Sequence, residues 1–300
     1  MIYTVTFNPA LDYVVWLDSL LPGRINRARR EAVQYGGKGI NVSTVLHNLG
    51  VDNVALGFLA GFTGRALEEG LREAGLRTDF IWLPQGLTRI NVKVKGRDET
   101  EINGQGPAIG RRELLALQDK LDRLASGDFL ILSGSVPDAL SQDAYEQILA
   151  RLEDRGIQFV VDAAGPLLRS TLPYHPFLIK PNRLELEELL GERLEDGDAL
   201  HRGAARLREL GARNVLVSLA EKGSLLLDEA GGCRQLPAPR GTVRNSVGAG
   251  DAMVAGFLAG WLESGDYGYA QRLGTAAGSA TAFTDGLATG KEILDLLRQL

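Results

Sequence analysis

A chain of 300 residues with 44% hydrophobic and 24% charged residues can bury a sizeable core, and its 37 glycines follow no collagen-like period, which excludes fibrous and disordered classes. The 33 basic and 38 acidic residues leave a formal charge of −5, with no Lys/Arg block of the kind that grips duplex phosphates, so a nucleic-acid partner is disfavoured. Cys233 is the one cysteine and cannot form an intramolecular disulfide, three scattered histidines make no Cys/His zinc cluster, and the longest apolar stretch, around 253–262, is short of the ~20 residues that span a membrane. With no basic leader after Met1, the expectation is an untargeted cytoplasmic protein, free of the membrane.

Residues 2–7 are an apolar run stopped by Asn8-Pro9, and they read as a first core strand followed by a polar loop that reaches Asp12. Two alternating stretches, 13–17 and 28–35, flank the turn-rich Leu21-Pro22-Gly23-Arg24 and predict an antiparallel hairpin. Gly36-Gly37-Lys38-Gly39 then opens a helix with Ile40, Val45 and Leu49 turned inward and a stop at Gly50, followed by strand 54–59. A second helix carries Leu67, Leu71 and Ala74 and closes at Gly75. The next alternating segments, 80–83 and 89–95, are expected to join the first hairpin. Two insertions, about 12–35 and 79–103, would thus make a lid sheet of about four strands whose faces need a partner, either the main domain or another copy of the chain.

From residue 111 the alternation is regular: helix 111–125, strand 129–133, helix 141–155, strand 159–162, strand 177–180, helices 183–190 and 198–210, and strand 215–218. The near-continuous apolar strands are those of a parallel sheet covered on both faces. Segments 224–228 and 233–236 predict a hairpin closing the sheet edge, and a Gly/Ala-rich helical region covers 249–262 and 270–282. Thr289 and Glu292 have capping-box spacing before a last helix. The whole reads as one α/β domain over 1–300.

The sharpest local signal is Asn245-Ser246-Val247-Gly248-Ala249-Gly250-Asp251, where glycines before a helix let backbone N–H groups approach an anion and Asp251 lies beside it, placed to accept a proton from an alcohol. A tight turn capped by Asp251 would explain the same residues. Gly36 to Asn41 lacks Walker A spacing, yet a glycine pair at a helix start with Lys38 and Asn41 suits a phosphate or sugar hydroxyls; the alternative is a helix-initiating turn with Lys38 in solvent. Asp12 is placed to accept from sugar hydroxyls and Arg89 to clamp a phosphate, unless both are ordinary surface charges. Glu101-Ile102-Asn103-Gly104 returns from the lid and lines the same crevice or only turns the chain. In Lys180-Pro181-Asn182-Arg183-Leu184-Glu185, Asn182 and Glu185 share one side of a helical turn, where they hold water around Mg²⁺ or form a capping arrangement without metal. The loops at Ser133-Gly134-Ser135 and at Ser218 with Gly223 carry the same two readings. Met253, Phe257 and Trp261 read as a core stripe, and His47, His175, His201 and Cys233 lack catalytic partners.

Four ordered blocks, Asn8-Pro9-Ala10-Leu11-Asp12, Gly36 to Asn41, Lys180 to Glu185, and Asn245 to Asp251 continuing through Gly256, resemble the ribokinase-like, phosphofructokinase-B-type carbohydrate kinases across nearly the whole chain. The resemblance implies a three-layer α/β/α sandwich with a mostly parallel sheet and a small β lid, and ATP with Mg²⁺ as cofactors. It implies Asp251 as general base, Gly248, Ala249 and Gly250 as an anion hole, and Asn182 and Glu185 in the metal region. Asp12, Gly37 and Asn41 would hold the sugar, with Asn103 lining the crevice. Lys180, Asn182, Ser218, Gly223, Ser246 and Ala277 would lie toward the nucleotide. Lys38 and the block Thr88 to Lys93 resemble the phosphosugar branch that holds 1-phosphofructokinases and tagatose-6-phosphate kinases, with Lys38 and Arg89 on the phosphate already present. The expected reaction is fructose 1-phosphate to fructose 1,6-bisphosphate; the alternatives are tagatose 6-phosphate or fructose 6-phosphate as acceptor, or a non-catalytic sugar- and nucleotide-binding protein. The lid of such relatives implies a homodimer.

Overall fold

The apolar runs of the sequence become the strands of one large sheet. The computed structural model describes residues 1–137, 140–141 and 143–300. The chain begins with β1 (Ile2–Thr6), β2 (Ala10–Trp16), β3 (Arg30–Gly36), α1 (Lys38–Asn48), β4 (Asn53–Ala60), α2 (Gly61–Glu73) and β5 (Ile81–Leu83). It continues with β6 (Arg89–Lys95), β7 (Thr100–Asn103), α3 (Arg111–Leu121), β8 (Phe129–Ser133), α4 (Ala144–Leu152), β9 (Gln158–Asp162), α5 (Gly165–Arg169) and β10 (Leu178–Ile179). The last part holds α6 (Arg183–Leu190), α7 (Gly197–Glu209), β11 (Asn214–Ser218), β12 (Ser224–Leu227), β13 (Cys233–Leu236), α8 (Ala249–Ser264), α9 (Tyr267–Ala282) and α10 (Gly290–Leu297).

Among the described residues, nine strands form the central sheet in the order β13-β12-β11-β10-β9-β8-β1-β4-β5. All neighbours are parallel except β12 and β13, which close the edge as an antiparallel hairpin. Side-chain alternation sends Leu130 and Leu132 of β8 to one face, packed with α3 to α7, and Phe129 and Ile131 to the other, packed with α1, α8, α9 and α10. Helix α2 covers Ala55 and Leu59 of β4 on that second side. The result is the three-layer α/β/α sandwich expected of a ribokinase-like chain. Helix α8 is apolar nearly all round because sheet, α1 and α9 enclose it, and Met253 and Phe257 are core residues as the stripe predicts.

A second sheet, β3-β2-β6-β7, is the lid. Here the sequence reading needs correction. The segment 80–83 does not join the lid: β5 pairs in parallel with β4 at the edge of the central sheet, Phe58 opposite Ile81. Three alternating residues cannot tell an edge strand of a buried sheet from one arm of a hairpin. The second lid arm is β6 with β7, beginning at Arg89. Asp12, expected in a loop, lies inside β2, opposite Gln34 and Asn91. Ala74 is an exposed helix cap, not a core residue. The helix expected over 141–155 is α4, which starts at Ala144; Gln142 of that span lies outside the described residues.

Candidate active site

The C-terminal ends of β1, β8, β9 and β10 open toward one crevice, the usual ligand position in an open α/β sheet. Helix α8 points its N-terminus into it. Gly248 caps that helix with φ 80°, a left-handed conformation that glycine adopts without the Cβ penalty. Of the first-turn N–H groups, that of Ala249 donates to the Ser246 carbonyl at 3.2 Å, while those of Gly250 and Asp251 have no partner among the described residues. A side chain at Gly250 would come within 3.0 Å of the Lys180 ammonium, so the bare glycine keeps the helix mouth open to that cation.

Asp251, third residue of α8, is buried, and its Oδ2 accepts a 2.8 Å hydrogen bond from Asn41 Nδ2 of α1. Its neighbour in the crevice is Asp162, the last residue of β9, which the sequence reading did not single out. Lys180 Nζ lies 3.4 Å from Asp162 Oδ1 and Lys38 Nζ lies 3.7 Å from Oδ2. Burial by itself would push Asp162 up, but the two ammonium groups outweigh it and hold the carboxyl below its ordinary value. Asp251 goes the other way: burial first, then the Asp162 charge, push it up to about 7 against the Asn41 hydrogen bond and the two lysines. Burial pulls the Lys38 ammonium down, yet Asp162, Asp251 and Glu185 together raise it. The available signal for Asp162 was positional: an acid ending a buried strand at the edge where ligands bind.

The lid supplies the second wall. Asp12 Oδ1 accepts 2.8 Å from Asn91 Nδ2, and Asn91 Oδ1 in turn accepts from Gly104 N at 3.2 Å. Arg89 Nε donates 3.2 Å to the Asn8 carbonyl, and burial lowers its pKa while Asp12 resists the shift. Gln34 Nε2 of β3 and Asn245 Nδ2 both donate to the Asp285 carbonyl at 3.3 Å, so lid and core meet across the crevice. Asn91 is not among the expected site residues, because its place opposite Asp12 follows from the β2–β6 register, which is not visible in sequence.

The remaining expected residues divide. Gly37, Asn41, Gly248, Ala249, Gly250, Asp251, Lys180 and Lys38 converge on the crevice, where the ammonium of Lys38 pairs with Asp162. Asn103 faces Asn91 from β7 and is exposed, as is Ser246 before α8. Asn182 and Glu185 form a complete capping box: each side chain accepts from the other's backbone N–H, at 2.9 and 2.8 Å. Ser218 ends β11 beside Asn182. Gly223 has a structural duty, since at φ 89° a side chain would meet the Leu236 carbonyl at 2.0 Å. Ala277 is fully buried against Gly256 in the α8–α9 contact and touches no open crevice; its place among small residues reflects close helix packing. His47, His175 and His201 stand apart from the site, and Cys233 is exposed.

Residues 5–294 match the family described as pfkB family carbohydrate kinase. The chain is 42% identical over 300 residues to the 1-phosphofructokinase of Bacillus subtilis, covering 100% of this chain and 98% of that protein. It is 39% identical to the D-tagatose-1-phosphate kinase of Bacillus licheniformis, covering 96% and 94% of the two chains. The crystal structure of phosphofructokinase-2 from Escherichia coli in complex with fructose-6-phosphate superimposes with a TM-score of 0.92 at 27% identity, covering 99% of this chain and 98% of that one. This chain belongs to the pfkB family of carbohydrate kinases. It is an ATP- and Mg²⁺-dependent sugar-phosphate kinase.

The crevice suits those cofactors. Both oxygens of Asp162 and the Ser133 hydroxyl are buried without a hydrogen-bond partner in the described residues, two ammonium groups stand beside them, and the Gly250 position is bare. Mg²⁺ keeps most of its shell as water and substrate phosphate and asks for only one or two carboxylates. Among the described residues, no three or more His, Cys, Asp or Glu side chains gather where they could hold a metal ion by themselves. No described helix is long and apolar enough to cross a membrane.

Proposed function

We propose that the acceptor is a ketohexose monophosphate, held between lid and core with its free hydroxyl at Asp251. The observation that carries this reading is the pairing of two walls: a buried carboxylate shifted toward neutrality on the core side, and a lid wall where Asp12 lies beside Arg89, Asn91 and Lys93. A carboxylate with a pKa of about 7 is matched to taking a proton near neutral pH, and it is the general base of this reading. Asn41 engages one of its oxygens and leaves the other for the acceptor hydroxyl. Asp12, with Gly37 and Asn41, accepts from or donates to the sugar hydroxyls. The backbone N–H groups at Gly248 and Gly250 hold charge as it develops on the transferring group, and that of Ala249 joins them once it leaves the Ser246 carbonyl. Lys38 and Lys180 neutralise the same charge from the other side, which moves Lys38 from the acceptor phosphate to the phosphoryl-transfer centre. Bound ATP with Mg²⁺ supplies the phosphoryl group and additional positive charge. Glu185 would help hold the Mg²⁺ hydration shell through whatever acceptor capacity the capping box leaves.

Fructose 1-phosphate, fructose 6-phosphate and the tagatose phosphates all present a phosphate at one end of a polyol and a primary hydroxyl at the other. A site that reads one anionic end and one free hydroxyl can accept each of them. Fructose 1-phosphate is the acceptor expected from the sequence; the phosphofructokinase-2 complex, whose fold runs the length of this chain, favours the 6-phosphate alternative. ADP release measured with fructose 1-phosphate, fructose 6-phosphate, tagatose 1-phosphate and tagatose 6-phosphate ranks them, and no release with any of the four overturns the reading. The outer face of the lid, with Val33, Ile90 and Ile102 exposed, supports pairing with a second copy of the chain.

A further inference from the structure

With Lys38 paired to Asp162, the acceptor's own phosphate is left to the cations of the lid: Arg89, and beyond it on the same strand Lys93, the last residue of the Thr88–Lys93 block and not itself an expected site residue. Strand alternation places Arg89, Asn91, Lys93 and Lys95 on the face of β6 that carries Asp12 of β2, while Ile90, Val92 and Val94 take the other face. Lys93 is opposite Val14, one pleat beyond the Asp12–Asn91 pair and farther from the core than Arg89. Its side chain is only 12% exposed, and its Nζ lies 3.6 Å from Asp12 Oδ2 and 3.3 Å from Glu101 Oε1. It lines a cleft under the lid together with Trp16, Gln34, Lys95, Asn245 and Asp285.

We propose that Lys93 is the residue by which the lid selects a phosphorylated ketose over the free sugar; this rests on the sugar-phosphate reading above. A phosphate brought beside the Asp12 carboxylate meets like charge unless a cation is shared between them, and Lys93 is already in contact with that carboxylate. Glu101 is the partner that gives way, since its side chain is 44% exposed and sits on the short strand β7, while Asp12 is held by Asn91. Lys93 thus exchanges Glu101 for the phosphate and keeps Asp12.

Calorimetric titration of fructose 1-phosphate and fructose 6-phosphate without nucleotide tests this, using the wild type, K93Q, K93R and E101Q, each checked for folding by thermal melt. Removing one charge-assisted contact in K93Q is expected to weaken sugar-phosphate binding about tenfold or more, with K93R recovering most of it. The discriminating variant is E101Q. If Glu101 competes with the phosphate, E101Q binds the sugar phosphate more tightly than the wild type; if Lys93 is only a strut between Asp12 and Glu101, E101Q binds it more weakly or unchanged, and the proposal falls. K93Q binding as tightly as the wild type also overturns it. A wild type that binds neither sugar phosphate overturns the acceptor reading itself, a result distinct from wild-type binding that is indifferent to Lys93.

Discussion

The two ends of the central sheet are built from the same strands and treated in opposite ways. At the N-terminal end of β11, Asn214 is fully buried and fully used: its amide donates to the Phe177 carbonyl at 2.7 Å and its carbonyl oxygen accepts from Glu229 N at 2.9 Å. Arg213 beside it donates to Glu229 and Gln158 and lies over the Phe177 ring. At the C-terminal end of β8 and β9, Ser133 and both Asp162 oxygens are buried without hydrogen-bond partners among the described residues, and Asp251 is driven toward neutrality. One end spends its polar groups on holding the fold; the other keeps them available for ligands, at a cost in stability.

The largest effect expected from breaking that contrast is at Asp251. Asp251→Asn should lower kcat by roughly 10²–10⁴-fold, the usual weight of a general base, while sugar-phosphate affinity is kept. Turnover within a few-fold of the wild type would remove the base from Asp251. Because the ionised form is the active one, wild-type kcat should rise with pH through about 7. The raised pKa also has a sign for stability: the cost of burying the charge is present above pH 7 and is relieved as pH falls toward the ordinary carboxylate range. The melting temperature of Asp251→Asn should therefore exceed that of the wild type at pH 8, and the gain should shrink toward pH 5.

Next in size is Asp162→Asn, which removes a negative neighbour and leaves Lys38 and Lys180 opposite a neutral amide. The acid limb of the kcat profile should move to lower pH, since the charge that helps hold Asp251 up is gone, and kcat should fall on the order of 10²-fold with the loss of an ionic ligand in the crevice. An unmoved limb would show that Asp162 does not act on Asp251. The smallest effect on turnover, and a clear one on stability, belongs to the other end: Asn214→Ala should cost about 1–3 kcal/mol in denaturant unfolding by leaving the Glu229 N–H without its acceptor and the Phe177 carbonyl with only the backbone N–H of residue 214, with kcat unchanged. A drop in kcat matching that at Asp162 would erase the distinction between the two ends.

Much of this was legible in the residues because the parallel strands are continuous apolar runs, and burial on both faces leaves no other pattern; β8 is found where that rule puts it, at Phe129–Ser133. Caps were equally plain, since Thr289 with Glu292 and Asn182 with Glu185 satisfy helix N–H groups by local geometry alone. What depended on pairing was hidden. Nothing local distinguishes Ile81–Leu83 from a lid strand, and the Asp12–Asn91–Lys93 grouping exists only because β2 and β6 run in parallel at one register. Asp162 lacks a glycine motif to draw attention to it and gains its meaning from Lys38 and Lys180, which arrive from α1 and the end of β10.

The hydrogen bond from Asn41 to Asp251 joins positions 210 residues apart in sequence, and so couples the helix proposed to hold the sugar to the proposed base. An engineer seeking a new acceptor would do well to leave α1 alone, because altering its contacts reorients the base with it. The strands β6 and β7 carry no such bond to Asp251 among the described residues, and on the proposed reading they are where substrate preference can be rewritten while the chemistry stays in register.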